Sequence, residues 1–333
     1  MKIFVAMPEN YETETFMTRG NREYLESLGE VTWSKLDRYM TADEFKEALA
    51  DTDVLVTAWG TPKLTAEVLE KANKLKLVAY CAGSVANVVS DEMYDRGIRI
   101  VSGNEAFAIS VAEGTIAYTL SMLRRLNEYE CRTVEGGWIT GMTAKTESLL
   151  GKTVGIVGYG AISRHLLTML KPFKVQIKLF SNHTTEEEAA KLGVQKADLE
   201  EIFSTCDIVS LHCARSEKNY HLINDHLLSL MKQDALLVNT SRGDVVDEDA
   251  LVKHLQSGHI RASLDVYTSE PLAADHPLRS LGYQVNLQSH KAGPTVDYRY
   301  AAARLVFDDI ARMQKGEDLQ NEIKPWRAQM MTK

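Results

Sequence analysis

Two short stretches hold residue types able to do chemistry. In "VNTSRGDVVDEDAL", an apolar run ending at Val238 meets Asn239, Thr240 and Ser241, then Arg242 and Gly243, before an acidic stretch opens a helix pattern. Small neighbours let backbone approach a ligand, and a guanidinium placed among them can hold a carboxylate through two parallel hydrogen bonds. Taken alone, the stretch reads more readily as a surface arginine in an ordinary strand-to-helix loop. In "GKTVGIVGYGAISRHLLTML", Gly158, Gly160 and Ser163 stand at the spacing G-x-G-x-x-G, after an apolar strand and before an amphipathic helix. Gly158 permits a tight turn and Gly160 a close approach of backbone to pyrophosphate. The helix start through Ala161 and Ile162 offers free N–H groups to that anion. Ser163 departs from glycine while staying small. The alternative is a glycine-containing turn that binds nothing.

The second strand after this turn, "VQIKLFSN", should end beside an adenosine ribose. Asp or Glu there favours NAD. Here the stretch is Ser181, Asn182, His183 and Thr184, with neither a carboxylate nor an arginine, so NAD and NADP both remain open.

These motifs need a scaffold. Expected strands are 2–6, 54–57, 77–80, 154–158, 177–180, 208–211, 235–239 and 262–266. Helix-like stretches between them include 42–50, 65–72, 162–170, 185–192 and 248–257. Strands that are apolar throughout and separated by helices predict parallel sheets covered on both faces, an α/β class. A division falls near Gly103, followed by the helix pattern "SVAEGTIAYTLSMLRRL". The segment from about Thr295 is helical and has no strand of its own, so it packs back on the first domain. The expected domains are 1–103 completed by 294–333, and 104–293.

At 333 residues there is room for two cores. The composition is ordinary for a globular protein, 44% hydrophobic and 25% charged. A net charge of −8 argues against a nucleic-acid surface. No membrane span or signal peptide is expected. The 4 cysteines show no C-x-x-C spacing and there is no histidine cluster, which points to no metal, no disulfide framework and a reduced, cytoplasmic setting.

The ordered series "GSVANVVSDEMYDRGIRIVSGNEAFAISVAEGT", "GKTVGIVGYGAIS", "CDIVSLHC", "VNTSRGDVVDEDAL", "SLDVYTSEPL" and "LQSHKAG" resembles the D-isomer-specific 2-hydroxyacid dehydrogenase family, including its phosphoglycerate dehydrogenase-like and glyoxylate-hydroxypyruvate reductase-like members. The resemblance implies a Rossmann NAD(P)-binding domain inserted in a flavodoxin-like substrate domain, both doubly wound parallel sheets. It implies hydride transfer between NAD(P)H and a small 2-keto acid. A catalytic trio comes with it: Arg242 in "SRG", Glu270 in "SEP" and His290 in "SHKAG". Histidine suits the proton role, a carboxylate would orient it, and the guanidinium would hold the substrate carboxylate.

By the same resemblance, the backbone of Gly83, Ser84 and Val85 would receive the substrate carboxylate as an anion nest. Val111, Ala112, Thr240 and Asp265 would lie at the nicotinamide end, although Asp265 could instead close a strand. Cys213 would sit near the cofactor or simply pack, His212 would be structural, and Asn104 would cap the long helix. Relatives acting on phosphorylated acids carry arginines where this chain has Trp59 and Cys81, which disfavours a phosphorylated substrate and leaves Trp59 to wall a substrate tail or fill core. A homodimer joined through the nucleotide domain is implied, with ligand closed between two lobes. The alternative is a cofactor-sensing, corepressor-like interaction protein on the same fold.

Overall fold

A computed structural model describes residues 1–141 and 143–331. The chain forms two compact units, one of Met1–Ala108 with the residues from Pro294 on, the other Ile109–Gly293. The first is built on a five-stranded sheet of β1 (Lys2–Val5), β2 (Glu30–Trp33), β3 (Val54–Thr57), β4 (Leu77–Tyr80) and β5 (Arg99–Ser102), ordered β2-β1-β3-β4-β5. All pairings are parallel, and β3 and β4 are buried along their whole length, as strands covered on both faces must be. The order is that of flavodoxin-like folds.

The second unit carries a seven-stranded parallel sheet. Its strands are β6 (Thr153–Val157), β7 (Gln176–Phe180), β8 (Gln195–Lys196), β9 (Ile208–Leu211), β10 (Leu236–Asn239), β11 (Arg261–Leu264) and β12 (Val285–Leu287), ordered β12-β11-β10-β9-β6-β7-β8. Counted from β6 and read from the β8 edge, this is the Rossmann order 3-2-1-4-5-6 with one strand added. The order reverses between β6 and β9, where Val154 pairs Ile208 and Val157 pairs Leu211. Ligands of open α/β sheets bind beyond the strand carboxyl ends at such a reversal. The α/β class and the two doubly wound sheets follow the sequence reading.

Four strands lie outside the expected runs. β5 has 4 residues and opens on the half-buried Arg99, so its apolar run is short. β2 alternates exposed and half-buried residues at a sheet edge, β8 has 2 residues, and β12 has 3, too few for a periodic signal. The helix expected over residues 65–72 is a correction. The segment is a series of turns in which Leu69 N–H donates to Thr65 O but Ala72 N–H donates to Leu69 O. Leu64, Val68, Leu69 and Ala72 are nonetheless buried. Anchored by core contacts, so short a stretch gains little from completing a regular helix.

The long helix, here α1 (Asn104–Arg124), starts earlier than its apolar periodicity indicates. Asn104 is its first residue, not its cap; Ser102 Oγ accepts the Asn104 N–H. By length and composition α1 is apolar enough to cross a bilayer, contrary to the expectation that no run would be. The buried Ser110, Thr115 and Thr119 interrupt its apolar surface.

Return of the chain to the first unit is fixed by one carboxylate. Asp309 has no solvent exposure. Its Oδ1 accepts Gln320 N–H at 2.8 Å and its Oδ2 accepts Asn321 N–H at 2.9 Å. The turn so held lets Ser102 N–H donate to Asn321 O and Ile323 N–H to Ile100 O, beside a two-bond Arg99–Glu322 ion pair. We predict that Asp309→Ala costs about 3 kcal/mol, because it strands buried donors. Thermal unfolding checks this, and a melting temperature within a degree of wild type would contradict it.

Candidate functional site

The second unit brings strand ends β6, β9, β10 and β11 together, and each contributes to one constellation. After β6, Gly158 has φ of +101°, and a Cβ there would stand 2.7 Å from His212 O, so the turn admits only glycine. Gly160 is the N-cap of α2 (Ala161–Leu170) and has open space where a Cβ would be, as a backbone that receives a phosphate requires. Ser163 is fully buried and its Oγ donates to Gly158 O at 2.7 Å. The departure from glycine thus supplies a strut across the turn. A pyrophosphate would fit here on the open helix start through Ala161 and Ile162.

At the end of β7, the Ser181 hydroxyl is engaged in its own turn, accepting from His183 N–H at 3.2 Å and from Thr184 Oγ1 at 3.0 Å. Asn182 and His183 are exposed. Cys213 follows β9 and its Sγ donates to Val157 O at 3.4 Å, so the thiol lies against the glycine turn, and burial pushes its pKa up to about 11. Such a thiol stays protonated and apolar in behaviour. His212 beside it bonds Ser210 Oγ at 2.8 Å, and burial pushes its pKa down to about 4.

The turn after β10 carries Thr240, Ser241 and Arg242. Asn239 holds it, donating from Nδ2 to Arg242 O at 2.9 Å and accepting Ser241 N–H at 3.0 Å. Arg242 Nη1 donates to Ser241 O at 2.6 Å. Burial draws the guanidinium pKa below its usual value; Glu270 opposes this, Arg215 adds to it and Asp244 opposes it. Gly243 explains how the turn comes so close to Glu270: a Cβ there would stand 1.9 Å from the carbonyl carbon of Tyr267. Two backbones are in contact at that point, and no larger residue fits.

Glu270 then bridges the pieces. Its Oε1 accepts Tyr267 N–H at 3.1 Å and its Oε2 meets His290 Nδ1 at 2.8 Å. His290 has φ of +57° and a side chain 48% exposed. With Nδ1 turned to the carboxylate, Nε2 is the nitrogen left to face a ligand. The three residues expected to act together thus share one unit, with Glu270 bonded to His290 and close enough for its charge to act on Arg242.

Asp265, the residue after β11, is held by the backbone of the loop that follows. It is 1% exposed, and Oδ1 accepts Lys291 N–H at 2.7 Å while Oδ2 accepts Ala292 N–H at 3.0 Å. Its own carbonyl accepts His290 N–H at 2.8 Å. One residue therefore clamps three successive amides and sets the unusual backbone of His290.

Helix α1 supplies residues that motif reasoning missed. Thr115 Oγ1 bonds Thr240 Oγ1 at 2.9 Å and donates to Val111 O at 2.8 Å, which puts the half-buried Val111 on the face toward β10. Ala112 points into core. Tyr118 donates to Asp265 Oδ1 at 3.3 Å, and burial with that carboxylate pushes its phenol pKa up. A Cβ on Gly114 would stand 2.9 Å from Ala292 O, so this glycine lets the histidine loop rest on the helix. An isolated glycine inside a helical pattern was the available signal.

In the first unit, Trp59 follows β3 and Gly83, Ser84 and Val85 follow β4, both at strand carboxyl ends. Ser84 Oγ accepts Ala86 N–H at 3.3 Å, and Val85 is fully buried. Trp59 is half-buried against the core, so it both packs and shows a face.

The clamp at Asp265 makes a prediction. Asp265→Asn turns an amide donor toward the Lys291 or Ala292 N–H and loosens the histidine loop. We expect kcat to fall by about 10- to 100-fold, the size of a lost charged hydrogen bond, with the KM for cofactor little changed. Equal losses in kcat and cofactor affinity would instead indicate general disruption.

Residues 116–292 match the family model "D-isomer specific 2-hydroxyacid dehydrogenase, NAD binding domain". The glyoxylate reductase of Korarchaeum cryptofilum is 34% identical over 275 residues, covering 81% of this chain and 82% of the relative. The D-3-phosphoglycerate dehydrogenase of Methanocaldococcus jannaschii is 33% identical over 301 residues, and the match spans 90% of this chain but 56% of that longer protein. A phosphoglycerate oxidoreductase from Rhizobium etli superposes with a TM-score of 0.81 at 26% identity, covering 97% of this chain and 99% of the other. The chain belongs to the D-isomer-specific 2-hydroxyacid dehydrogenase family and is an NAD(P)-dependent oxidoreductase.

Proposed function

We propose that the protein reversibly reduces a small 2-keto acid to the D-2-hydroxy acid, with His290 as general acid and base. The observation that carries this reading is the 2.8 Å contact of His290 Nδ1 with Glu270, whose charge acts on the half-buried Arg242. Glu270 orients the imidazole and stabilises its protonated form. The proton then leaves or arrives at Nε2. Arg242, fixed by Ser241 O, holds the substrate carboxylate and polarises the adjacent carbonyl. Bound reduced nicotinamide supplies the hydride. We assign the cofactor to the second unit through Gly158, Gly160, Ala161 and Ile162, with Val111, Thr240 and Cys213 at its edges, and the substrate-binding role to the first unit through Gly83, Ser84, Val85 and Trp59.

The end of β7 offers the ribose an exposed Asn182 and no carboxylate, which supports use of NADP as well as NAD. A homodimer is supported by the exposed apolar residues Leu126, Val134, Trp138 and Leu150, which follow α1. A cytoplasmic setting is supported by cysteines that are all free. The relatives compared above carry enzyme names, which favours catalysis over a corepressor-like role.

Two measurements test the reading. A screen of 2-keto acids with NADH and NADPH, followed at 340 nm, should reveal oxidation of at least one cofactor, and inactivity with every keto acid would contradict the assignment. Arg242→Lys should lower kcat/KM for the best keto acid by about 10²-fold, since an ammonium cannot reproduce the two-pronged grip. An unchanged value would remove Arg242 from substrate recognition.

A further inference from the structure

Arg299 opens the helix α3 (Arg299–Lys315) and lies in the first unit. Its guanidinium stands 5.1 Å from the ring centroid of Trp59 and 5.9 Å from that of Phe16. Trp59 in turn meets Phe16 edge-on at 5.3 Å and Phe107 at 5.9 Å. The Phe107 ring lies 3.3 Å from where a Cβ on Gly83 would be. A continuous surface within one unit therefore runs from the Gly83 turn, along Phe107 and Trp59, to a cation. It lies at the carboxyl ends of β3 and β4, where sheets of this order bind ligands.

The cation is poorly satisfied for its surroundings. Of five N–H donors a guanidinium offers, Arg299 places one on Thr15 Oγ1 at 3.4 Å, and its Nε is buried with no partner among the described residues. The ion pairs among those residues include none to Arg299. Buried donors are nearly always paired, and a cation over aromatic faces with no ion-pair partner among the described residues can receive an anion.

Building on the 2-keto acid reading above, we infer that Arg299 determines specificity by binding a second carboxylate on the substrate tail, so that the preferred substrates are 2-keto dicarboxylic acids of four or five carbons. The aromatic wall covers the methylenes of such a tail and the guanidinium takes its terminal oxygens. A single guanidinium suits a singly charged carboxylate better than a doubly charged phosphate, which needs several cations.

The test compares full-length wild type, Arg299→Met and Arg299→Lys on 2-oxopentanedioate, 2-oxopentanoate and phosphohydroxypyruvate with reduced cofactor. Wild type should prefer the dicarboxylate to the monocarboxylate of equal length. Arg299→Met should lower that preference by about 10- to 100-fold, mainly through the KM for the dicarboxylate, with Arg299→Lys in between. The inference is overturned if wild type prefers the monocarboxylate or the phosphate ester. It is also overturned if Arg299→Met lowers both C5 acids in equal proportion, which marks a packing role. If wild type reduces none of the three while other 2-keto acids are reduced, only the dicarboxylate inference falls; if no keto acid is reduced, the broader reading falls with it.

Discussion

The candidate catalytic centre depends on the hold of Asp265 over the backbone of residues 290–292. A histidine with φ of +57° does not adopt that conformation without support, because a side chain with a Cβ is strained there. The support is a fully enclosed carboxylate taking two amides, and the carbonyl of the same residue taking a third. Held this way, His290 presents Nδ1 to Glu270, and the geometry of the pair is set before any ligand arrives. Such prior organisation avoids rearrangement during reaction.

Close approach of backbone makes the rest possible. Gly243 lets the Arg242 turn touch the Tyr267 peptide, Gly114 lets the histidine loop lie on a helix, and Gly158 lets the first strand end pass under His212. Each of these contacts joins one strand end to the next element, so the site is assembled from backbone contacts, with side chains supplying the chemistry. Thr115 and Tyr118 extend the same construction, tying α1 to Thr240 and to Asp265 through hydroxyl groups.

Local motifs in the sequence carried the parts of the site that local geometry determines. The Gly158–Ser163 turn, the Arg242 loop and the strands around them are each set within a few residues, so their spacing exposes them. The trio needed more: only a resemblance spanning six ordered motifs connected Arg242, Glu270 and His290. Residues acting through distant partners stayed hidden. Asp265 reads as a strand-closing carboxylate until Lys291 and Ala292 are seen beside it, and Arg299 reads as one surface charge until Trp59 is seen beneath it. The stretch 65–72 misled for a related reason, since its apolar spacing reports burial and not the hydrogen bonds between its residues.

The central claim is that the imidazole of His290 passes the proton that accompanies hydride transfer. Chemical rescue tests it most directly. His290→Ala is saturated with keto acid and reduced cofactor, and turnover is followed as imidazole is added. The account predicts a loss of about 10²- to 10⁴-fold without imidazole, undiminished cofactor binding, and a rise in turnover with imidazole concentration. Near-wild-type turnover in the unsupplemented variant would contradict it.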